Sequence, residues 1–368
     1  MATYKAEALH QTYRGRLRPA SHYSLGWLPR WVALGARAPH LANRLLTNRV
    51  LAAVGRRVAG IDRRRPLPVL AASTLRQRWR RRGPAAGPAA GPAARRVLLW
   101  PDTFTNHFTP AAGEAAAQVL ECAGYRVGLP DEPLCCGLTW ISTGQLTTAR
   151  RVLRRTVDRL AALLEEAGGG GEPQAQGEGA AGGVEAGVGG RGTLGRLPNG
   201  GVRLVGLEPS CLAVLRHDAA ALLGDDQAVA AVARAAATLA EVLAATPGWV
   251  PPDLRGEEVV AQPHCHQHAV LGWEADRDLL AGAGAAVAVV GGCCGLAGNF
   301  GAERAHYDVS VAVAETALLP AVRAAGPEAV VLADGFSCRT QLDHLAGRRA
   351  LHLAELLARA QVGPGAGP

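Results

Sequence analysis

The sequence predicts an α/β fold: two pseudo-symmetric repeats, each a small sheet with flanking helices, preceded by a basic, partly helical arm. Three observations predict it. Short apolar strand patterns alternate with helical stripes beyond residue 95, cysteine-bearing motifs recur in the same order in two halves, and the positive charge is confined to the start of the chain.

The arm, residues 1–82, comes first. Residues 1–95 hold nineteen Lys or Arg against Glu7 and Asp62, whereas residues 96–368 hold twenty against twenty-nine acids, so the formal +8 is regional. Lys5 is the only lysine, and patches such as ANRLLTNRVLAAVGRRV are helical in period. The stretch reads as a solvated arm with short helices, or as a docking face for an acidic partner or a membrane surface. No nucleic-acid partner is expected, because Trp27, Trp31 and Trp79 are scattered and no recognition motif accompanies them. The first residues contain no apolar signal core, and the uncharged stretch Ala281 to Ala302 is too rich in glycine for a membrane span. A cytoplasmic location is expected, with at most peripheral contact at the inner face of the membrane. Eight cysteines in a reducing compartment point to metal ligation or redox chemistry before structural disulfides.

The run RRGPAAGPAAGPAAR makes residues 83–95 a linker, and the first repeat is expected over 96–245. Within it VLLW (97–100) and VRLVGL (202–207) read as buried strands, and TTARRVLRRTVDRLAALLEEA places Leu153, Val157, Leu160 and Leu164 on one helical stripe. Residues 168–201, with fifteen glycines in 34 positions, read as a disordered insertion. The second repeat is expected over 257–360, followed by a disordered tail at 361–368.

Three anchors define the duplication. LLWPDTFTNHF (98–108) matches VAQPHCHQHAV (260–270), pairing Pro101 with Pro263 and Thr103 with Cys265; LCCG (134–137) matches GCCG (292–295); LEPSC (207–211) matches DGFSC (334–338). Pro101 to Cys135 is 34 positions and Pro263 to Cys293 is 30. Seven of the eight cysteines fall on these anchors; Cys122, on a helical pattern, reads as a buried small apolar residue.

Each anchor follows a predicted strand, where an α/β fold displays its ligand-binding loops. The second half offers four thiolates, Cys265, Cys293, Cys294 and Cys338, a donor set suited to an iron–sulfur cluster, zinc or Cu(I). The first offers Cys135, Cys136 and Cys211, with Thr103 in the fourth place, so it reads as a second site completed by His107 or His217, or as a degenerate one. His264, His266 and His268 invite a zinc reading. With four thiols already present, His264 and His266 are expected beside the cluster, bonding to sulfur or handling protons, rather than as ligands.

These motifs resemble the cysteine-rich CCG domain, in its tandem form, of heterodisulfide reductases and of glycolate oxidase iron–sulfur subunits. LLWPDTFTNHF, LEPSC, DVSVAVAETALLPAVRAA and ADGFSCRTQ are similar to the C-terminal part of FAD-linked oxidases of the D-lactate and D-2-hydroxyglutarate dehydrogenase type. The resemblance implies an iron–sulfur electron-transfer subunit or fragment. It would take electrons from a FAD-binding oxidase and a ferredoxin-like partner, and pass them to a quinone, a thiol or another acceptor. The family's full motif carries a further cysteine three positions before the last; Glu208 and Gly335 stand there in this chain, so an ordinary [4Fe-4S] cluster is expected. No FAD site is expected in this chain, and no hydroxy-acid turnover without a flavin partner. MATYKAEALHQTYRGRLRP resembles the segment found directly after the ferredoxin run in fused enzymes, which implies a separate subunit or a truncated product. The alternative function is a zinc-binding structural or scaffold protein.

Overall fold

The computed structural model describes residues 2–83, 94–168, 201–224 and 226–362. The expected linker, glycine-rich insertion and tail fall, apart from their end residues, outside the described residues.

Helices pack around two small parallel sheets, giving an α/β architecture. The first sheet comprises β1 (Arg95–Trp100), β2 (Tyr125–Gly128), β3 (Arg203–Gly206) and the short β4 (Ala236–Ala237), in the order β2-β1-β3-β4. The second comprises β5 (Glu258–Ala261), β6 (Ala286–Val289) and β7 (Val330–Leu332), in the order β6-β5-β7. Every pairing is parallel. In each sheet the earliest strand lies inside, the next pairs on one side, and the chain then crosses to the other. Parallel neighbours need crossover helices. Pro110–Cys122 and Leu146–Gly168 serve the first sheet; Glu274–Gly282, Tyr307–Glu315 and Leu318–Ala324 serve the second.

The expected strands VLLW and VRLVGL are β1 and β3, and the last four residues of β1 are all buried, as a parallel strand covered on both faces requires. In the helix Leu146–Gly168, Leu153, Val157 and Leu160 face the core and Leu164 packs against it. Cys122 departs from expectation. It is exposed as the last residue of Pro110–Cys122, because Ala116, Val119 and Leu120 take the inward stripe.

One apolar core joins the sheets: Val97, Leu99 and Val205 share it with Val259, Val330 and Leu332. The last helix, Leu353–Val362, lies against Pro110–Cys122 and adds Leu356 and Leu357. Each fully buried leucine of this kind contributes about 1.5–3 kcal/mol relative to exposure. A separate core forms in each half beyond it, one holding Trp100, Trp140, Cys136 and Cys211, the other Val260, Leu342, Cys294 and Cys338.

The arm folds onto both halves through helices Ala2–Thr12, Ala20–Ser24, Leu28–Gly35, Pro39–Thr47, Arg49–Ala59 and Leu75–Arg81. Arg18 donates to the carbonyls of Thr143 and Gly144, both at 2.8 Å, and the Trp27 indole donates to Gln145 at 2.9 Å. Asp62 N–H donates to the Ala302 carbonyl at 2.9 Å. The opposite charges of arm and body meet in pairs such as Arg78–Glu114 and Arg82–Glu121. Away from these contacts Leu41, Leu45, Val50, Val54 and Val58 are exposed. No helix among the described residues is long and apolar enough to cross a membrane.

Candidate metal centre

All seven anchor cysteines lie just beyond the carboxyl ends of strands, the edge where parallel sheets present ligand sites. Cys265 follows β5, Cys293 and Cys294 follow β6, and Cys338 enters the first turn of the helix Phe336–Ala346 after β7. That helix N-terminus favours negative charge on its neighbours. In both halves the Cys-Cys-Gly turn folds back on its first sulfur. Gly295 N–H points to Cys293 Sγ at 3.3 Å and Gly137 N–H to Cys135 Sγ at 3.4 Å, with φ of +85° and +80° at the two glycines.

In the second half the sulfurs form a connected row. Cys293 accepts from Cys265 and Cys294, and Cys294 also bonds to Cys338. Interactions with Cys265 and then Cys294 hold the Cys293 thiol down, while the interaction with Cys293 pushes Cys265 and Cys294 up. Binding of a cation would displace the thiol protons. Exposure falls along the row from Cys265, through the half-buried Cys293, to the buried Cys294 and Cys338.

All four cysteines line one cavity of about 1060 Å³, closed on other sides by arm residues such as Trp31 and Leu46 and by Phe104, Phe108 and Phe336. Phe336 stacks on Phe104 at 5.0 Å between centroids and lies 4.9 Å from Phe108, so the aromatic wall spans both halves. Among the described residues the group of metal-binding side chains whose ligand atoms all lie within 4.8 Å is His264, Cys265 and His266, and no three of the four sulfurs meet that limit. A single zinc with four bonds of about 2.3 Å would bring its sulfurs to about 3.8 Å from one another. Four thiolates suit either an iron–sulfur core or a single soft ion.

The histidines lie beside this row. His264 is 4% exposed and stacks on His266 at 5.1 Å. Its Nδ1 accepts from His266 N–H at 3.1 Å, which places the proton on Nε2, facing Ser337 Oγ at 3.3 Å. Burial holds His264 at about 4, and burial also lowers His266. His264 can sit here because residue 335 is glycine; a Cβ at Gly335 would lie 2.3 Å from the imidazole. At the matching place in the first half, Glu208 accepts from Ser210 Oγ at 2.5 Å and from Phe336 N–H at 2.7 Å, tying the halves together. The sequence marked Glu208 only as a missing cysteine.

Cys135, Cys136 and Cys211 also meet, but in a different setting. The Cys136 and Cys211 sulfurs are 3.1 Å apart, at 2% and 1% exposure, among Trp100, Trp140 and Leu134. Thr103 Oγ1 contacts Cys135 Sγ at 3.4 Å from the fourth place. The bond to Cys136 pushes the Cys135 thiol up, and burial pushes up Cys136 and, to about 12, Cys211. Neither expected helper histidine joins them: His107 bonds to Asn106 beside the arm's Arg76, and exposed His217 pairs with Asp218.

His107 gives a pH prediction instead. Its Nδ1 is buried without a partner among the described residues, and burial, then the charge of Arg76, holds it at about 4 against an ordinary 6.5. Between these values the unfolded chain takes a proton that the fold refuses, so stability falls as pH drops from about 6.5 towards 4. His264 acts in the same direction. Asp102, raised to about 6 by burial and by Glu208, opposes them below pH 6. Urea melts of the metal-free chain should therefore show stability rising over this range, and His107→Gln should remove on the order of 1–3 kcal/mol of the rise. An unchanged slope would rule His107 out.

Comparison with known proteins adds two findings. The chain is 24% identical over 362 residues to D-2-hydroxyglutarate dehydrogenase of Escherichia coli (strain K12), a match covering 94% of this chain and 31% of that protein. It therefore spans about a third of the length of the curated relative. No solved structure matches it significantly. Residues 102–167, which carry Thr103, Cys135 and Cys136, match the CCG family, the cysteine-rich domain.

Proposed function

We propose that the chain is the iron–sulfur electron-transfer part of a FAD-linked 2-hydroxy-acid dehydrogenase. One observation carries the reading: four cysteines from three adjacent strand ends line the wall of a single large cavity. The similarity to D-2-hydroxyglutarate dehydrogenase and the CCG match support an oxidoreductase-related role and metal or iron–sulfur binding. The equivalent strand orders and Cys-Cys-Gly turns support two repeats related by duplication.

Cys265, Cys293, Cys294 and Cys338 would hold a [4Fe-4S] cluster, which supplies one-electron storage when bound. Gly295 N–H and the Phe336–Ala346 helix terminus stabilise negative charge on the sulfurs, His264 stays neutral against Cys265, and the arm and the Phe104–Phe336 stack keep bulk water from the buried corner. The donor is a flavoprotein, with a ferredoxin-like carrier between; the acceptor is a quinone, a thiol or another carrier. The first half is a degenerate site, its thiols kept in the apolar core.

Anaerobic purification or reconstitution should give about four irons and four sulfides per chain, not twice that. The isolated chain should reduce no dye with D-2-hydroxyglutarate until a flavoprotein partner is added. A second reading, a zinc site, rests on the compact His264–Cys265–His266 group. Zinc without sulfide in the anaerobic protein would establish it and overturn the first.

A further inference from the structure

Arg65 belongs to the arm's run RRRP, yet it is 4% exposed and inserted into the second half. Its guanidinium donates to the Gly301 carbonyl at 2.7 Å, Gln341 Oε1 at 2.5 Å and Ser310 Oγ at 2.6 Å, all neutral acceptors. It also lies 4.6 Å from the centroid of the Tyr307 ring. Asp62, three positions earlier, commits both oxygens to Arg64, which reaches on to the exposed Asp308. A cation taken out of water without a bonded anion is costly, so its retention calls for a negative group close by.

Asp62, shared with Arg64, is one such group, and the candidate centre lies on the other side. Gly301 N–H donates to the Leu296 carbonyl at 2.8 Å, and Ser310 packs directly on Gly295, so two of the three groups that grip Arg65 also frame the Cys294-Gly295-Leu296 turn. Arg65 and Cys294 line the same cavity. Four thiolates around an iron–sulfur core carry net negative charge, and so do four thiolates around a divalent ion.

We infer that Arg65 is the fixed counter-charge of the four-cysteine centre, a positioning residue that stabilises its anionic, reduced state and links seating of the arm to occupancy of the site. The inference rests on the proposed metal centre but not on its being iron–sulfur. Removing the guanidinium costs the fold these hydrogen bonds with or without metal, and costs the loaded form the counter-charge as well.

The test compares wild type, Arg65→Gln and Arg65→Lys in the full chain. Thermal unfolding should show Arg65→Gln losing more stability in the metal-loaded state than in the metal-free state, and Arg65→Lys losing about the same in both. Cadmium titration, read by the thiolate charge-transfer band, should show affinity about ten-fold weaker in Arg65→Gln and within about three-fold of wild type in Arg65→Lys. After anaerobic reconstitution the midpoint potential of the centre should be lower in Arg65→Gln and close to wild type in Arg65→Lys. If Arg65 only staples the arm in place, both variants lose stability equally with and without metal, and neither potential nor cadmium affinity tracks the charge; that result overturns the inference. A wild type that takes cadmium but no iron refutes the electron-transfer reading alone, and the cadmium comparison still decides Arg65. A wild type that binds neither removes both.

Discussion

Cys294→Ser should lower the iron retained after anaerobic reconstitution by about ten-fold or more, while Cys122→Ser leaves it unchanged. Cys294 occupies the middle of the sulfur row, bonded to Cys293 and Cys338, and is 3% exposed in a core with Val260 and Leu342. Serine nearly matches its volume, so the packing survives, but a buried hydroxyl is a poor ligand for iron beside three thiolates. Cys122 stands exposed at the end of Pro110–Cys122, on the far side of the joint core. Iron and sulfide assays with the visible absorbance of the protein read the result. Equal loss in both variants would dissolve the assignment of the centre.

Gly295→Ala should destabilise the metal-free chain by about 3 kcal/mol or more. Two costs coincide there. The backbone is at φ +85°, and an added Cβ would lie 2.1 Å from the Ser310 carbonyl oxygen, a backbone atom fixed in the helix Tyr307–Glu315. Gly137→Ala is the control: its φ of +80° carries the same conformational penalty, but its Cβ would meet nothing closer than the Ala149 carbonyl at 3.3 Å. That change should cost about 1–2 kcal/mol. Denaturant midpoints of the two variants separate the effects, and equal losses would show that the Ser310 contact gives way.

The strands were legible because a parallel strand buried on both faces leaves an unbroken apolar run, as in VLLW and VRLVGL. The sulfur row was legible through repetition, which no single Cys-Cys pair supplies. Burial of individual polar residues was not. Arg65 looks like its neighbours in RRRP, and its partners stand 236, 245 and 276 positions away. Glu208 likewise bonds across 128 positions to Phe336. Cys122 was misplaced because a helical period gives spacing, whereas the phase at a helix end is set by what the last turn meets.

The joint core bears on how such a chain can be inherited. Val97, Leu99 and Val205 meet Val259, Val330 and Leu332 without an intervening water-facing layer, and Leu353–Val362 completes the surface of the opposite half. Cutting between the sheets would strip each of the apolar cover that the other provides. The two sheets should therefore travel together, as one unit, when such a chain is fused to another protein or separated from one.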